Sequence, residues 1–248
     1  MIRFWRRILI ICLISSLTGC FYWVRAYQTY LQMDEFDKHF TITAGNEFQL
    51  NFNDPKLYND DFVSLSKLQP SDKSTIESGE IWHYWFRKVD LQGNTVKPEV
   101  KFYFDLRFNE QEMLTQWVFS QLFLQIAPAE FLEISIRSIA GAEINQGKRQ
   151  LKANTDLIEK IEADLPQKAQ VLTQLGEPLA IEHEDDKDVY LYHFKLESQD
   201  IEEGYEDRAL SVVKLSFDKR TDELIKMSGR FIGLKISINY QKFVKNKS

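Results

Sequence analysis

The sequence predicts an α+β fold of two related units, each a helix plus a three-stranded antiparallel meander, behind an N-terminal signal peptide. Three paired segments carry that expectation. GEIWHYWFRK (79–88) is matched by KDVYLYHFKL (187–196), FDLRFNEQEMLTQW (104–117) by VKLSFDKRTDELIKM (213–227), and FVSLSKLQP (62–70) by QVLTQLGEP (170–178). They keep order and near-constant spacing: Leu68 answers Leu175, Phe86 answers Phe194, Phe108 answers Phe217 and Leu114 answers Leu224. Self-similarity of this kind marks duplication of one structural unit.

The elements follow in chain order. Tyr27, Tyr30, Leu31 and Met33 to Phe36 fall near helical spacing and predict a helix to about Lys38. It either docks on the body or stands as a stalk beside a bilayer. NEFQLNF (46–52) reads as a strand ahead of Asp54 and Pro55. In each unit a short helix then ends near Pro70 or near Gly176 and Pro178, residues that do not extend one. The first strand alternates Trp82, Tyr84 and Phe86 with His83, Trp85 and Arg87; its counterpart alternates Tyr190, Tyr192 and Phe194 with Leu191, His193 and Lys195. The second strand sets Phe102, Phe104, Leu106 and Phe108 on one face, and Ser211, Val213, Leu215 and Phe217 in the second unit. Polar turns follow at Asn109 to Glu112 and Asp218 to Asp222, and third strands open at Met113 and Glu223. One face of each meander is apolar and one wet, so a helical cover is required. Between the units FLEISIRSIAGAE (131–143) and NTDLIEKIEADLP (154–166) read as helices, the second capped by Thr155 and stopped by Pro166. LKISINY (234–240) adds a strand, and the basic tail is expected to fray. The expected division is 1–19 signal peptide, 20–40 Cys20 and the N-terminal helix, 41–128 first unit, 129–166 helical connector, 167–241 second unit and 242–248 tail.

The first residues set the address. Arg3, Arg6 and Arg7 precede an apolar run, Ile8 to Ile14, and Ser15 to Gly19 shorten the side chains before Cys20. That is the three-part layout of a secretory signal. LTGC (17–20) resembles the lipobox of bacterial lipoproteins, which implies cleavage between Gly19 and Cys20, lipidation of Cys20, and a chain tethered to a membrane outside the cytoplasm. The rival is a single N-terminal span in the inner membrane, since no charge falls between Arg7 and Arg25. By analogy with lipoprotein sorting, Phe21 after Cys20 points to the outer membrane and its periplasmic face. Removal of the three arginines leaves 28 basic residues against 37 acidic ones, a charge of −9. That balance disfavours nucleic acid as a partner. The only cysteines are Cys12 and Cys20, so the folded part is expected to hold no disulfide, thiolate metal site or Cys nucleophile.

A helix ending LG-x-P, an aromatic Y-x-Y-x-F strand and a strand closing on F-D together resemble the BamE (SmpA/OmlA) outer-membrane lipoproteins, and are similar to the repeats of β-lactamase-inhibitor-like proteins. Leu175, Gly176, Pro178, Tyr192, Phe194, Phe217 and Asp218 carry the match; the first unit has Gln69 and Pro70 in place of the Gly motif. The resemblance implies helices packed on a small antiparallel sheet and a protein-binding or scaffold role in cell-envelope assembly or maintenance, without catalysis.

Phosphate-binding Gly loops, a G-x-S-x-G elbow and H-E-x-x-H do not occur. The histidines are His39, His83, His183 and His193; His83 and His193, on the wet faces of matching first strands, read as surface or second-layer residues rather than ligands. EHEDDKD (182–188) and ESQDIEEGYED (197–207) lack calcium-loop spacing and read as solvated hairpin loops. No cofactor or metal is expected. Trp85, Tyr103 and Trp117 are the candidate partner-binding residues, if they share an outward face. The alternatives are a hydrolase of envelope polymers, which needs clustered acids in a cleft, and a lipid or small-molecule binder, which needs an apolar cavity.

Overall fold

The computed structural model describes residues 21–140, 142–145, 150–152, 159–198 and 200–245. The signal peptide 1–19, its cleavage point at Gly19, Cys20 and Thr155 lie outside the described residues. The strands are β1 Phe40–Ala44, β2 Phe48–Phe52, β3 Asp72–Ile76, β4 Gly79–Val89, β5 Lys101–Asn109, β6 Leu114–Phe119, β7 Glu143–Asn145, β8 Gln150–Lys152, β9 Ala180–His183, β10 Lys187–Leu196, β11 Leu210–Asp218, β12 Leu224–Phe231 and β13 Leu234–Asn239. The helices are α1 Phe21–Gln32, α2 Phe36–His39, α3 Asn59–Ser66, α4 Gln121–Leu124, α5 Ala129–Arg137 and α6 Lys168–Leu175.

The α+β expectation of two helix-plus-meander units is corrected. The chain is mostly β: eleven strands form one antiparallel sheet, ordered β1-β2-β6-β5-β4-β10-β11-β12-β13, with β3 paired to β4 and β9 to β10 off that path. The reason lies at the backbone edges of β4 and β10. The late parts of these strands pair with each other, from His193 opposite Val89 to Leu196 opposite Phe86. β3 takes the early part of the same edge of β4, and β9 takes the early part of β10. Edges that would isolate two units are thus used to join them, which satisfies their N–H and C=O groups.

The joined sheet curls into a half-barrel around a phenylalanine core. Phe231 of β12 reaches Phe86 of β4 at 5.9 Å between ring centroids and Phe102 of β5 at 5.8 Å, although β10 and β11 lie between them in the sheet. Phe102 meets Phe194 at 4.9 Å across the junction. Phe123, on the short helix α4, closes the interior against Phe104 at 4.8 Å and Phe231 at 5.3 Å. Edge-to-face rings at these distances add to the apolar burial that drives the curl. The period-two alternation is realised here: Trp82, Tyr84, Phe86, Phe102, Phe104, Leu106 and Phe108 are all buried.

Local devices recur at matching positions of the two halves. β5 slips register between Arg107 and Phe108, and β11 between Ser216 and Phe217. The carbonyls of Glu112 and Asp222, both at positive φ, accept from the first N–H of α3 and α6, on Asn59 and Lys168, at 3.0 and 2.8 Å. Each half also caps a helix of the other. Lys88 of β4 donates to Leu175 O and Glu177 O at the end of α6, both at 2.6 Å. Arg208 donates to Leu65 O and Ser66 O at the end of α3, at 3.2 and 2.9 Å. A cation there satisfies orphan carbonyls and meets the negative end of the helix dipole.

The remaining elements differ from expectation in particulars. The N-terminal helix breaks after Gln32 into a 3-10 turn, Met33–Glu35, and α2, and β1 follows, a strand the sequence did not reveal. α1 is held by a forked Arg25–Asp61 pair at 2.5 and 2.8 Å, with Asp61 almost wholly buried. Of the connector, residues 131–137 lie in α5, but 143–145 and 150–152 form the hairpin β7–β8 and 159–165 are not helical. Ile161 instead bridges to Val244, tying part of the basic tail to the body.

Candidate functional site

β4 and β5 present their aromatic residues to the core, with two exceptions. Trp85 and Tyr103 are direct cross-strand partners on the opposite, outward face, with ring centroids 4.7 Å apart. Trp117 is not with them. It pairs opposite Leu106 on the core face and packs edge-on to Phe62 at 6.1 Å and parallel to Phe119 at 5.1 Å. The structure therefore brings together two of the three candidate residues. Cys20 and Gly19 are outside the described residues.

The surroundings of Trp85 make it rigid. Its backbone N–H donates to Ser71 Oγ at 2.9 Å, and its carbonyl accepts from Glu197 N at 2.8 Å. Lys101 Nζ sits 4.4 Å from the centroid of its ring, a cation–π contact. Lys101 also pairs with Glu197 at 2.5 Å, and Arg87 pairs with Glu197 and, at 3.5 Å, with Glu99. Glu197 follows β10, so this charged row spans the junction between halves. Tyr103 donates its hydroxyl to Glu47 across β6. Burial, aided by the Glu47 hydrogen bond and charge, pushes the Tyr103 phenol well above its ordinary value, so it stays a donor.

Of these groups, Trp85, Lys101, Tyr103 and Glu47 line a cleft of about 610 Å³, whose wall is the β1–β2 turn and whose end is the start of α4. Thr43, Gln49, Trp85, Lys101, Tyr103 and Gln121 reach it. Its lining mixes aromatic, amide and charged groups. Trp, Tyr and Arg are the residue types that anchor protein interfaces. Glu47, Arg87, Lys101 and Glu197 were not legible as site residues. Alternation along the strands could have placed Arg87 beside Trp85 and Lys101 beside Tyr103, but nothing local signals Glu47 or Glu197.

The second half holds a control. The pair equivalent to Trp85 and Tyr103 is His193 and Val212, in the same cross-strand register. The fold therefore accommodates non-aromatic residues at this position, and the aromatic pair on the first half is not a requirement of the sheet.

His83, on the same outward face, accepts or donates at both ring nitrogens: Nδ1 lies 2.7 Å from Asp105 Oδ1 and Nε2 lies 3.3 Å from Ser74 Oγ. Burial holds the Asp105 carboxyl above its usual value, with His83 opposing. The connectivity is that of a nucleophile–base–acid chain. None of the three lines either described cleft. Among the described residues no group of three or more His, Cys, Asp or Glu is placed to hold a metal ion. No helix among them is long and apolar enough to cross a membrane.

No family model, curated protein or solved structure matches the chain.

Proposed function

We propose that the protein is a lipid-anchored lipoprotein on the periplasmic face of the outer membrane, acting as a protein-binding module in envelope assembly or maintenance. The partner docks in the Trp85–Tyr103 cleft. The observation that supports this reading is a contacting pair of aromatic rings on an outward face, 4.7 Å apart and tilted at 60°, where the matching positions of the other half carry His193 and Val212. Rigid aromatic anchors beside a row of already paired charges suit a partner segment that brings apolar and hydrogen-bonding groups. The curled interior is filled by phenylalanines, which supports a solid binding scaffold over a carrier.

The test is site-specific photo-cross-linking in living cells. A benzophenone amino acid at Gln121, in the cleft wall, is compared with one at Lys214 on the second half, in wild type and in Trp85→His/Tyr103→Val. The reading expects one discrete adduct from Gln121 that disappears in the double variant while the chain stays folded. Equal adducts from Lys214, or an adduct indifferent to the double variant, would remove the cleft from the function.

A further inference from the structure

We infer that α1 lies flat on the lipid bilayer, its outer stripe embedded at the headgroup–acyl boundary, and so fixes the orientation of the whole half-barrel. This inference rests on the membrane-anchored reading above. Of the eight large hydrophobic side chains exposed among the described residues, five belong to this one helix: Phe21, Trp23, Val24, Tyr27 and Leu31. Val24, Tyr27 and Leu31 are 51%, 52% and 47% exposed and fall three and four residues apart, on one face. The opposite face is committed to the body: Thr29 and Gln32 are buried, Tyr30 donates to Ala142 O at 2.8 Å, and Gln32 donates to Asp54 O at 2.8 Å. The helix carries one charge, Arg25, and that guanidinium is turned onto Asp61.

The occupant of the stripe follows from what precedes it. Phe21 directly follows Cys20, and the apolar run Ile8 to Ile14 lies upstream of both. With the chain lipidated at Cys20, the first turn of α1 stands at the membrane surface. A Trp, a Tyr, a Phe and aliphatic residues on an uncharged face suit that boundary, where amphipathic rings are favoured. A stripe without basic residues, on a chain of net charge −6, binds by apolar burial rather than by attraction to anionic lipid. A lipid surface is therefore favoured over an acidic protein or an anionic headgroup as the occupant.

The experiment uses the full chain reconstituted in phosphatidylcholine vesicles doped with a phosphatidylcholine that carries a diazirine high on its acyl chain. Flotation reports attachment, and peptide mapping after photolysis reports which residues touch lipid. The expected result is a floating chain with adducts on Val24, Tyr27 and Leu31, none on Thr29 or Gln32, and no loss in high salt. In Tyr27→Ser/Leu31→Ser flotation persists and helix adducts fall away. A chain that floats with adducts confined to residues before Phe21 overturns the docking while leaving the anchor intact. That outcome covers both a helix standing in water and a stripe covered by a second copy. A chain that does not float removes the anchored reading, and the docking with it.

Discussion

Lys88→Met tests the cross-half capping most sharply. Lys88 is 4% exposed, and its ammonium donates to two carbonyls, of Leu175 and Glu177, at the end of α6, with Tyr192's ring 5.2 Å away. Met keeps most of the stem's apolar contacts and removes the donors. Hydrogen bonds from a charged group contribute about 1.5–3 kcal/mol each, so two are worth roughly 3–6 kcal/mol gross. Against this stands the cost of burying the charge, which the variant recovers; burial lowers the Lys88 pKa, with Glu177 opposing. The carbonyls decide the sign, because they stay in place and lose their donor. We expect a net loss of about 2 kcal/mol, or a Tm lower by roughly 4–8 °C for a chain of this size. Urea unfolding followed by tryptophan fluorescence gives the number, and hydrogen exchange should rise first around 168–177. The pH dependence fixes the cause. A lowered folded pKa means that the unfolded chain holds more protons as pH approaches 10.5. Wild-type stability therefore rises with pH over that window, and the gap to the variant widens. A variant within about 0.5 kcal/mol of wild type, or more stable, would mean that charge burial outweighs the caps and would refute the reasoning.

Other outcomes follow from the same structure. Gly79→Ala should cost more than about 3 kcal/mol, because φ is +138° and a Cβ would stand 2.0 Å from Phe108 O; Gly45→Ala, with nothing within 4 Å, should stay within about 0.5 kcal/mol by thermal melting. Phe104→Ala, which empties the centre of the core, should lose about 3–5 kcal/mol in denaturant titration. Trp85→His/Tyr103→Val, which copies the second half's residues, should lose about 1 kcal/mol or less by the same titration. For Asp105→Asn the sign runs with pH. Burial raises the folded pKa of Asp105 above 3.8, so the native chain keeps that proton longer and wild-type stability falls as pH climbs through the folded value. The stability difference should therefore move in favour of the variant across that window, and a flat difference would exclude Asp105 as the titrating group.

Side-chain periodicity is local, and the local part of this fold was legible. Trp82, Tyr84 and Phe86 point inward and His83, Trp85 and Arg87 outward, as alternation requires. The turn residues Asn109 and Asp218 accept backbone N–H groups through their Oδ1 atoms, as their residue types suggest. The fold class was not legible, because pairing of β4 with β10 depends on which backbone edges are free, and no side-chain pattern reports that. β1 escaped because Phe40–Ala44 is short, and only Phe40 on it is buried. NTDLIEKIEADLP has helical spacing, yet 159–165 is drawn instead into contact with the tail through Ile161. At the site, Trp85 and Tyr103 could be found from composition, but their shared face depended on register. Trp117 fell on the other face because the β5–β6 pairing puts it opposite Leu106.

The lipid anchor is the claim on which the function and the docking of α1 both depend, and intact mass of the membrane-extracted protein tests it most directly. Wild type and Cys20→Ala are measured side by side. The account predicts a wild-type mass equal to residues 20–248 plus acyl groups, and loss of that species in the variant. A full-length, unmodified chain in both would contradict it.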